Sequence, residues 1–404
     1  MVCVSSTYLG TQKHLQADGS GSFSWVNKPA PGEWTWGFEK NPQRSEELIK
    51  IFGAPSPDLV PEYHKKAMET VLSGQHVPIP WHYVLKKADY ETRLKLFLND
   101  IQDVVRALED SGYSETYIKT RAFIKTLSRS LIDKLLLDKY ISEETNPTLV
   151  SILGSFRPSD DGFSRRCDYS LSNTRTGRAT IIEGPQILTL PAKYRDILCP
   201  TRKHVLVQLD FVSLEPRVSL GLAGIKNIPS DIYHFINEKL FNNALTRSQI
   251  KMVTLCALYG ISATKLSEIM SGNNCETVIR ELKDFFSVPS QLKAMKNQLS
   301  TNGFLQNYFG RPLFFEEDSE HLLFSHFVQS TAVDIALMGF SHLQKLMQME
   351  GVFIRPIFII HDALILETRW DDIDKIKHMC QKGINIDGIG NFPLSFQILK
   401  KSHE

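Results

Sequence analysis

Residues 245–262, LTRSQIKMVTLCALYGIS, constrain the fold more than any other stretch of the chain. Thr246 and Gln249, three apart, make a capping box, so the spacing predicts a helix whose first N–H groups are satisfied. Gly260 is the residue type expected just past its end. Between them Arg247, Lys251, Leu255 and Tyr259 recur every fourth residue, which keeps them on nearly one face. Two cations thus stand where the helix dipole is already positive, and an aromatic ring stands at the far end of the same face. Such a helix is built to hold a polyphosphate at its N-terminal half and a flat base at its C-terminal half.

At 404 residues the chain is long enough for a large core and two or three domains. Its hydrophobic fraction of 42% and charged fraction of 23% are ordinary for a water-soluble protein. No apolar run approaches the roughly 20 residues of a membrane span, and the N-terminus has no leader pattern, so the expected setting is cytoplasmic with no membrane partner. Six cysteines without a CxxC pair fit reduced thiols and argue against a zinc site. Net charge is only +1, so an anionic partner requires locally segregated cations. One cluster stands out: Arg121, Lys125 and Arg129, four apart, beside an apolar face of Phe123, Ile124, Leu127 and Leu131. This predicts an amphipathic helix with a basic stripe suited to a phosphate backbone, although a lone stripe of this kind is more often a solvated face.

Residues 1–85 are rich in Gly, Pro and Ser, hold four tryptophans, and read as irregular structure with a short helix near Arg44–Phe52. The tryptophans suit a core, a partner patch or a stacking surface, with core the default. Residues 86–150 read as helical. HVLVQLD (204–210) alternates Val205, Val207 and Leu209, predicting a strand that ends in Asp210. A helix follows, with Ser213 as N-cap, Pro216 in its first turn and Gly224 as its stop. PIFIIHDALILE (356–367) predicts two strands joined by a tight turn at His361-Asp362. An acid at a strand end and another at a hairpin tip suit phosphoryl transfer by two Mg²⁺ ions about 3.5–4 Å apart, bridged by carboxylates. Mg²⁺ takes most of its other ligands from phosphates and water, so two aspartates suffice.

Three of these segments resemble motifs A, B and C of the family A DNA polymerases, the bacterial polymerase I group: DFVSLEPRV (210–218), RSQIKMVTLCALYG (247–260) and IHDALILE (360–367). The likeness extends between them. TRTGRATIIEGPQILTLP (174–191) is similar to the segment preceding motif A, DIYHFINEKLF (231–241) to the opening of the fingers, and residues 302–340 to the FGRRR and QGTAAD stretches. It covers about residues 157–404 in the family's order. The resemblance implies an α+β right hand: a thumb-like region at 86–156, palm at 157–230 and 311–404, and fingers at 231–310, preceded by an N-terminal extension at 1–85.

By that resemblance Asp210 and Asp362 hold two Mg²⁺ ions, with Mn²⁺ a substitute and the Phe211 carbonyl a third ligand. Arg247 and Lys251 hold the triphosphate, and Lys251 also protonates the leaving pyrophosphate. Tyr259 lies below the nascent base pair. Glu215 excludes a ribose 2′-OH. Arg178, Gln329 and His361 contact the primer terminus or the minor-groove acceptors that every base pair presents. The implied activity is primer-dependent DNA synthesis from dNTPs on primer-template DNA, with accessory replication proteins or a separate exonuclease subunit as further partners. The chain departs from the family pattern in four places: Leu255 replaces an aromatic residue, Ala363 an acid, Tyr233 a histidine and Ser330 a glycine. These mark a divergent, short member, in the host cytoplasm if phage-encoded. The one acidic pair resembling an exonuclease signature, Asp89-Tyr90-Glu91, sits in a helical stretch, so no proofreading is expected. A single-subunit phage-type RNA polymerase, and a catalytically inactive DNA-binding subunit, are the competing readings; Glu215 and the retained aspartates argue against them.

Overall fold

Val2–Val4 (β1), His14–Ala17 (β2), Phe23–Val26 (β3) and Trp34–Trp36 (β4) pair into a sheet of order β3-β2-β1-β4. Strand β1 runs antiparallel to β2 and parallel to β4, and all three of its residues are buried. The computed structural model describes residues 2–17, 22–38, 45–52, 59–73, 81–110, 112–225, 228–259, 275–316 and 322–402. Gly260, the expected stop of the helix that begins after Thr246, lies outside them. The chain forms two compact units, 1–125 and 126–404.

The first unit corrects the reading of residues 1–85 as irregular. Strands of three or four residues carry little periodic signal, and β1 meets its parallel partner only some thirty residues later, so local pattern does not reveal the sheet. The expected helix is present as Ser45–Phe52 (α1). The boundary expected after residue 85 also shifts. Helix Lys87–Asp110 (α2) buries Tyr90, Leu94, Phe97, Ile101 and Val105 at helical spacing and packs on α1 and β1 within this unit. Trp34 and Trp36 belong to the same core: Trp36 meets Phe97 edge-on at 5.4 Å, and Trp34 lies 5.9 Å from Tyr117. Trp25, by contrast, is exposed.

The basic stripe is corrected as well. Helix Ser114–Thr126 (α3) ends before Arg129, so the three cations do not share a helix face. Arg121 is wholly buried and pairs with buried Glu47 at 2.9 Å, while the Tyr117 hydroxyl donates to the same carboxylate. Lys125 is half-buried. Arg129, in the second unit, grips Asp161 with two guanidinium nitrogens at 2.7 and 2.8 Å. Two of the cations that the sequence offered to a phosphate backbone, Arg121 and Arg129, are spent on carboxylates.

In the second unit, Asp168–Ser170 (β5) and Thr180–Glu183 (β6) form a hairpin whose loop carries Arg178. The main sheet is antiparallel, with order β8-β9-β7-β10: His204–Phe211 (β7), Ile354–Ile360 (β8), Ala363–Arg369 (β9) and Leu394–Lys401 (β10). Strand β7 buries Val205, Val207, Leu209 and Phe211 as its alternation predicts. Leu214–Leu222 (α4) follows it directly; then come Ile232–Phe241 (α5), Arg247–Tyr259 (α6), Cys275–Phe285 (α7), Val288–Asn302 (α8) and the 27-residue helix Leu323–Met349 (α9). Helix α9 reaches the sheet closely through Gly339, where a Cβ would come within 2.8 Å of the Phe211 ring. Phe340 meets that ring at 5.3 Å. Full burial of a phenylalanine is worth about 1.5–3 kcal/mol, so this contact anchors the sheet end that carries Asp210.

Candidate active site

The central strands β7 and β9 pair in register with Asp210 opposite Ala363. Asp362 therefore stands in the two-residue turn one position before Asp210's partner. His361 makes that turn by taking a left-handed backbone conformation (φ 56°), and the Phe211 N–H donates to the Asp362 carbonyl at 3.3 Å. The two carboxylates thus arise from neighbouring backbone positions at one end of the central strand pair. Their electrostatics agree with that placement. Burial first, and Asp362 second, push the Asp210 carboxyl up to about 6, with Lys251 pulling the other way. Burial also raises Asp362, opposed by its own backbone N–H and by His361 and Arg178. Among the described residues no three His, Cys, Asp or Glu side chains converge on one point, so the aspartates act as a pair.

Glu215 lies in the first turn of α4. That helix starts at Ser213, which takes a left-handed conformation and makes no side-chain cap. Arg178 donates to Glu215 at 2.8 Å, yet burial still raises the glutamate, helped by Asp362. Arg178, Glu215, Gln329, His361 and Asp362 line one cleft of about 300 Å³. The apolar part of its wall includes Leu214 and, from α9, Ala332 and Ala336.

Helix α6 carries the capping box that its sequence specifies. The Thr246 N–H donates to the Gln249 side chain at 2.9 Å, and the Gln249 N–H returns to the Thr246 hydroxyl at 3.3 Å. Arg247 and Lys251 are exposed, and Leu255 and Tyr259 are half-buried. Among the described residues the buried Tyr259 hydroxyl has no hydrogen-bond partner. Arg247 reaches Asp231 at 3.3 Å and lies over the Tyr233 ring, 5.9 Å from its centroid. Asp231 also caps α5, accepting from the N–H groups of Tyr233 and His234 at 3.2 and 3.1 Å. These bonds and Arg247 hold its carboxyl low against the opposing effect of burial.

The structure therefore brings Asp210, Asp362, Glu215, Arg178, Gln329 and His361 together and sets Lys251 within electrostatic reach. Sequence reasoning missed two supporting residues. Asp231 was legible as an acid before an apolar helical run. Arg217 was legible only as a charge inside an apolar helix. It is buried and donates to the carbonyls of Val212, Pro229 and Ser230 at 2.9, 2.7 and 2.8 Å, tying the turn after Phe211 to the start of α5.

An antiparallel sheet with one acid at the end of a middle strand and another in the turn that opens its neighbour, near a basic-aromatic helix whose Lys251 acts on the first, has the architecture of a right-hand polymerase. The sequence model of DNA polymerase family A matches residues 163–398, more than half of the chain. The chain belongs to that family. DNA polymerase I of Caldicellulosiruptor bescii is 22% identical over 242 residues, 52% of this chain and 28% of that protein. DNA polymerase I of Pseudomonas aeruginosa is 26% identical over 239 residues, 52% of this chain and 26% of that protein. The match thus spans little more than a quarter of these curated relatives. The fold is similar to that of the POL domain of Pol1 from M. smegmatis, solved with DNA primer-template and dNTP. The TM-score is 0.65 at 12% identity, covering 96% of this chain and 92% of that one.

Proposed function

We propose that this chain extends a DNA primer along a template, using dNTPs and two divalent cations, Mg²⁺ with Mn²⁺ as substitute. The observation that carries the reading is the pair Asp210 and Asp362, partly desolvated on adjacent central strands, with Asp210 pushed up to about 6. Each charge disfavours ionisation of its neighbour, and a divalent cation between them removes that conflict. With Asp210 and Asp362 as the carboxylate ligands, the remaining ligands would come from substrate phosphates, water and the Phe211 carbonyl, which is the donor set Mg²⁺ prefers. When bound, such cations lower the pKa of an attacking hydroxyl and offset the charge that develops on a transferring phosphoryl group.

The protein's own groups divide the remaining work. Arg247 and Lys251 hold the triphosphate at the start of α6, where the dipole adds to their charge. Lys251, the cation that Asp210 senses, gives a proton to the departing pyrophosphate. Leu255 and Tyr259 form the floor for sugar and base. Glu215, packed in the cleft wall, crowds a 2′-OH. Arg178, Gln329 and His361 test the minor-groove edge of the primer terminus. Proofreading is no part of the proposal: Asp89, Tyr90 and Glu91 lie on α2, in the other unit. The test is extension of a labelled primer on a defined template, with dNTPs and rNTPs in separate reactions. We expect deoxynucleotide addition that needs Mg²⁺ or Mn²⁺ and no shortening of a mismatched end. Preferred incorporation of rNTPs would support the RNA polymerase instead, and absence of any addition would leave an inactive DNA-binding subunit.

A further inference from the structure

Arg178 reaches Glu215 from the loop between β5 and β6, and that loop rests on a side chain far away in sequence. Gly177 has φ +78°, and a Cβ built there would meet the Arg311 guanidinium at 2.7–3.0 Å. The loop backbone therefore passes directly over the buried guanidinium with no room for a side chain unless the arginine shifts, and the left-handed conformation independently favours glycine there. Arg311 is 2% exposed and donates to the Leu171 carbonyl at 2.6 Å, at the other end of the loop. Nearby, Arg175 lies over the Phe315 ring, 5.2 Å from its centroid. The segment 307–315 thus grips residues 171–178 at three places.

The platform is itself held from α9. Asn307 accepts from the Arg311 N–H at 2.9 Å and donates to Ser330 at 3.0 Å and Asp334 at 2.6 Å. Ser330 and Asp334 lie on the helix that also carries Gln329 into the cleft. Within the loop, the Gly177 N–H donates to the Thr174 carbonyl at 3.1 Å, and the Thr174 hydroxyl to the Arg178 carbonyl at 3.0 Å. A continuous path therefore runs from α9 through Asn307 and Arg311 to the loop and on to Arg178.

We propose that Arg311 is the positioning residue for Arg178: its flat guanidinium fixes the 171–178 loop so that Arg178 and Gln329 enter the cleft from a common support. Arg311 touches no substrate; it acts through the loop. A lysine keeps the charge but offers neither the planar surface under Gly177 nor the forked donor set. The inference rests on the primer-extension reading for its kinetic consequence, but not for its structural one.

The test is a double-mutant comparison. Arg311→Lys should lower kcat for correct single-nucleotide addition by roughly tenfold to a hundredfold, the scale of a slightly misplaced substrate contact. In an Arg178→Ala background the same change should cost less than about twofold, because the group it positions is gone. Gly177→Ala, which lifts the loop from the opposite side, should show the same dependence on Arg178 if Arg311→Lys folds poorly. Hydrogen exchange supplies the readout that does not need activity: amides of 171–178 should exchange faster in Arg311→Lys than in wild type, and remain slow in Arg178→Ala. Equal kinetic losses in both backgrounds, or unchanged exchange across the loop, would overturn the assignment. A wild-type protein that extends no primer would remove the functional reading, while the exchange comparison would still decide whether Arg311 holds the loop.

Discussion

At neutral pH Asp210 is held ionised in a place that disfavours the charge. Its folded carboxyl, at about 6, lies above the roughly 3.9 expected of an unfolded aspartate, so the folded state binds this proton more tightly. The stability it contributes is complete below about pH 4 and is lost as pH rises through 6. Asp210→Asn should therefore abolish primer extension, and in chelator at pH 8 it should raise the melting temperature, with a gain on the order of 1 kcal/mol after solvent screening. At pH 4 the two melting curves should coincide; a lower melting temperature for the variant at pH 8 would mean that Asp210 is not the strained partner of Asp362. Glu215 belongs to the same scale. Glu215→Ala opens the cleft wall without touching a phosphate ligand, so the rNTP/dNTP incorporation ratio should rise by an order of magnitude or more, about the value of removing one crowded gate. Single-nucleotide kinetics read this directly, and an unchanged ratio would remove Glu215 from that role.

Helix α3 shows how an element can offer one role in sequence and take another in the fold. Arg121 and Glu47 form a buried ion pair, and removing one partner of such a pair typically costs about 3–5 kcal/mol because the other charge is left uncompensated. Arg121→Leu should therefore destabilise the first unit to denaturant by that amount, with Glu47→Gln added to Arg121→Leu recovering part of it. The salt dependence of DNA affinity, which counts phosphate contacts, should not change in slope. The misreading has a definite cause: four-residue spacing says which cations share a face if the helix continues, but not that α3 stops at Thr126 or that a carboxylate from α1 waits beneath Arg121. Motif chemistry was far more legible. The α6 capping box and the β7 alternation are local rules that tertiary packing leaves intact, and the His361-Asp362 turn is set by the strands on either side of it. Arg217 and Arg311 were harder to read because their partners are backbone carbonyls, several of them distant in sequence.

Each of the two units has its own buried core, one around Trp36 and Phe97, the other around Phe211 and Phe340. Heat unfolding should accordingly depart from a single two-state transition, and Arg121→Leu should lower the transition of residues 1–125 selectively; calorimetry of the two proteins tests both points. The second unit also arranges its irregularities in a particular way. Strands β7 and β9 pair over seven consecutive residues without a bulge, whereas β8 and β10 each carry a register shift, at Pro356/Phe358 and Ile398/Lys400. Side chains alternate faces along a strand, so a slip of one residue between β7 and β9 would turn Asp210 away from Asp362. The flanking strands behave like expansion joints on either side of a rigid span: small changes in chain length can be taken up there. A one-residue insertion or deletion in an outer strand can therefore be absorbed there, while the spacing on which the chemistry depends stays fixed.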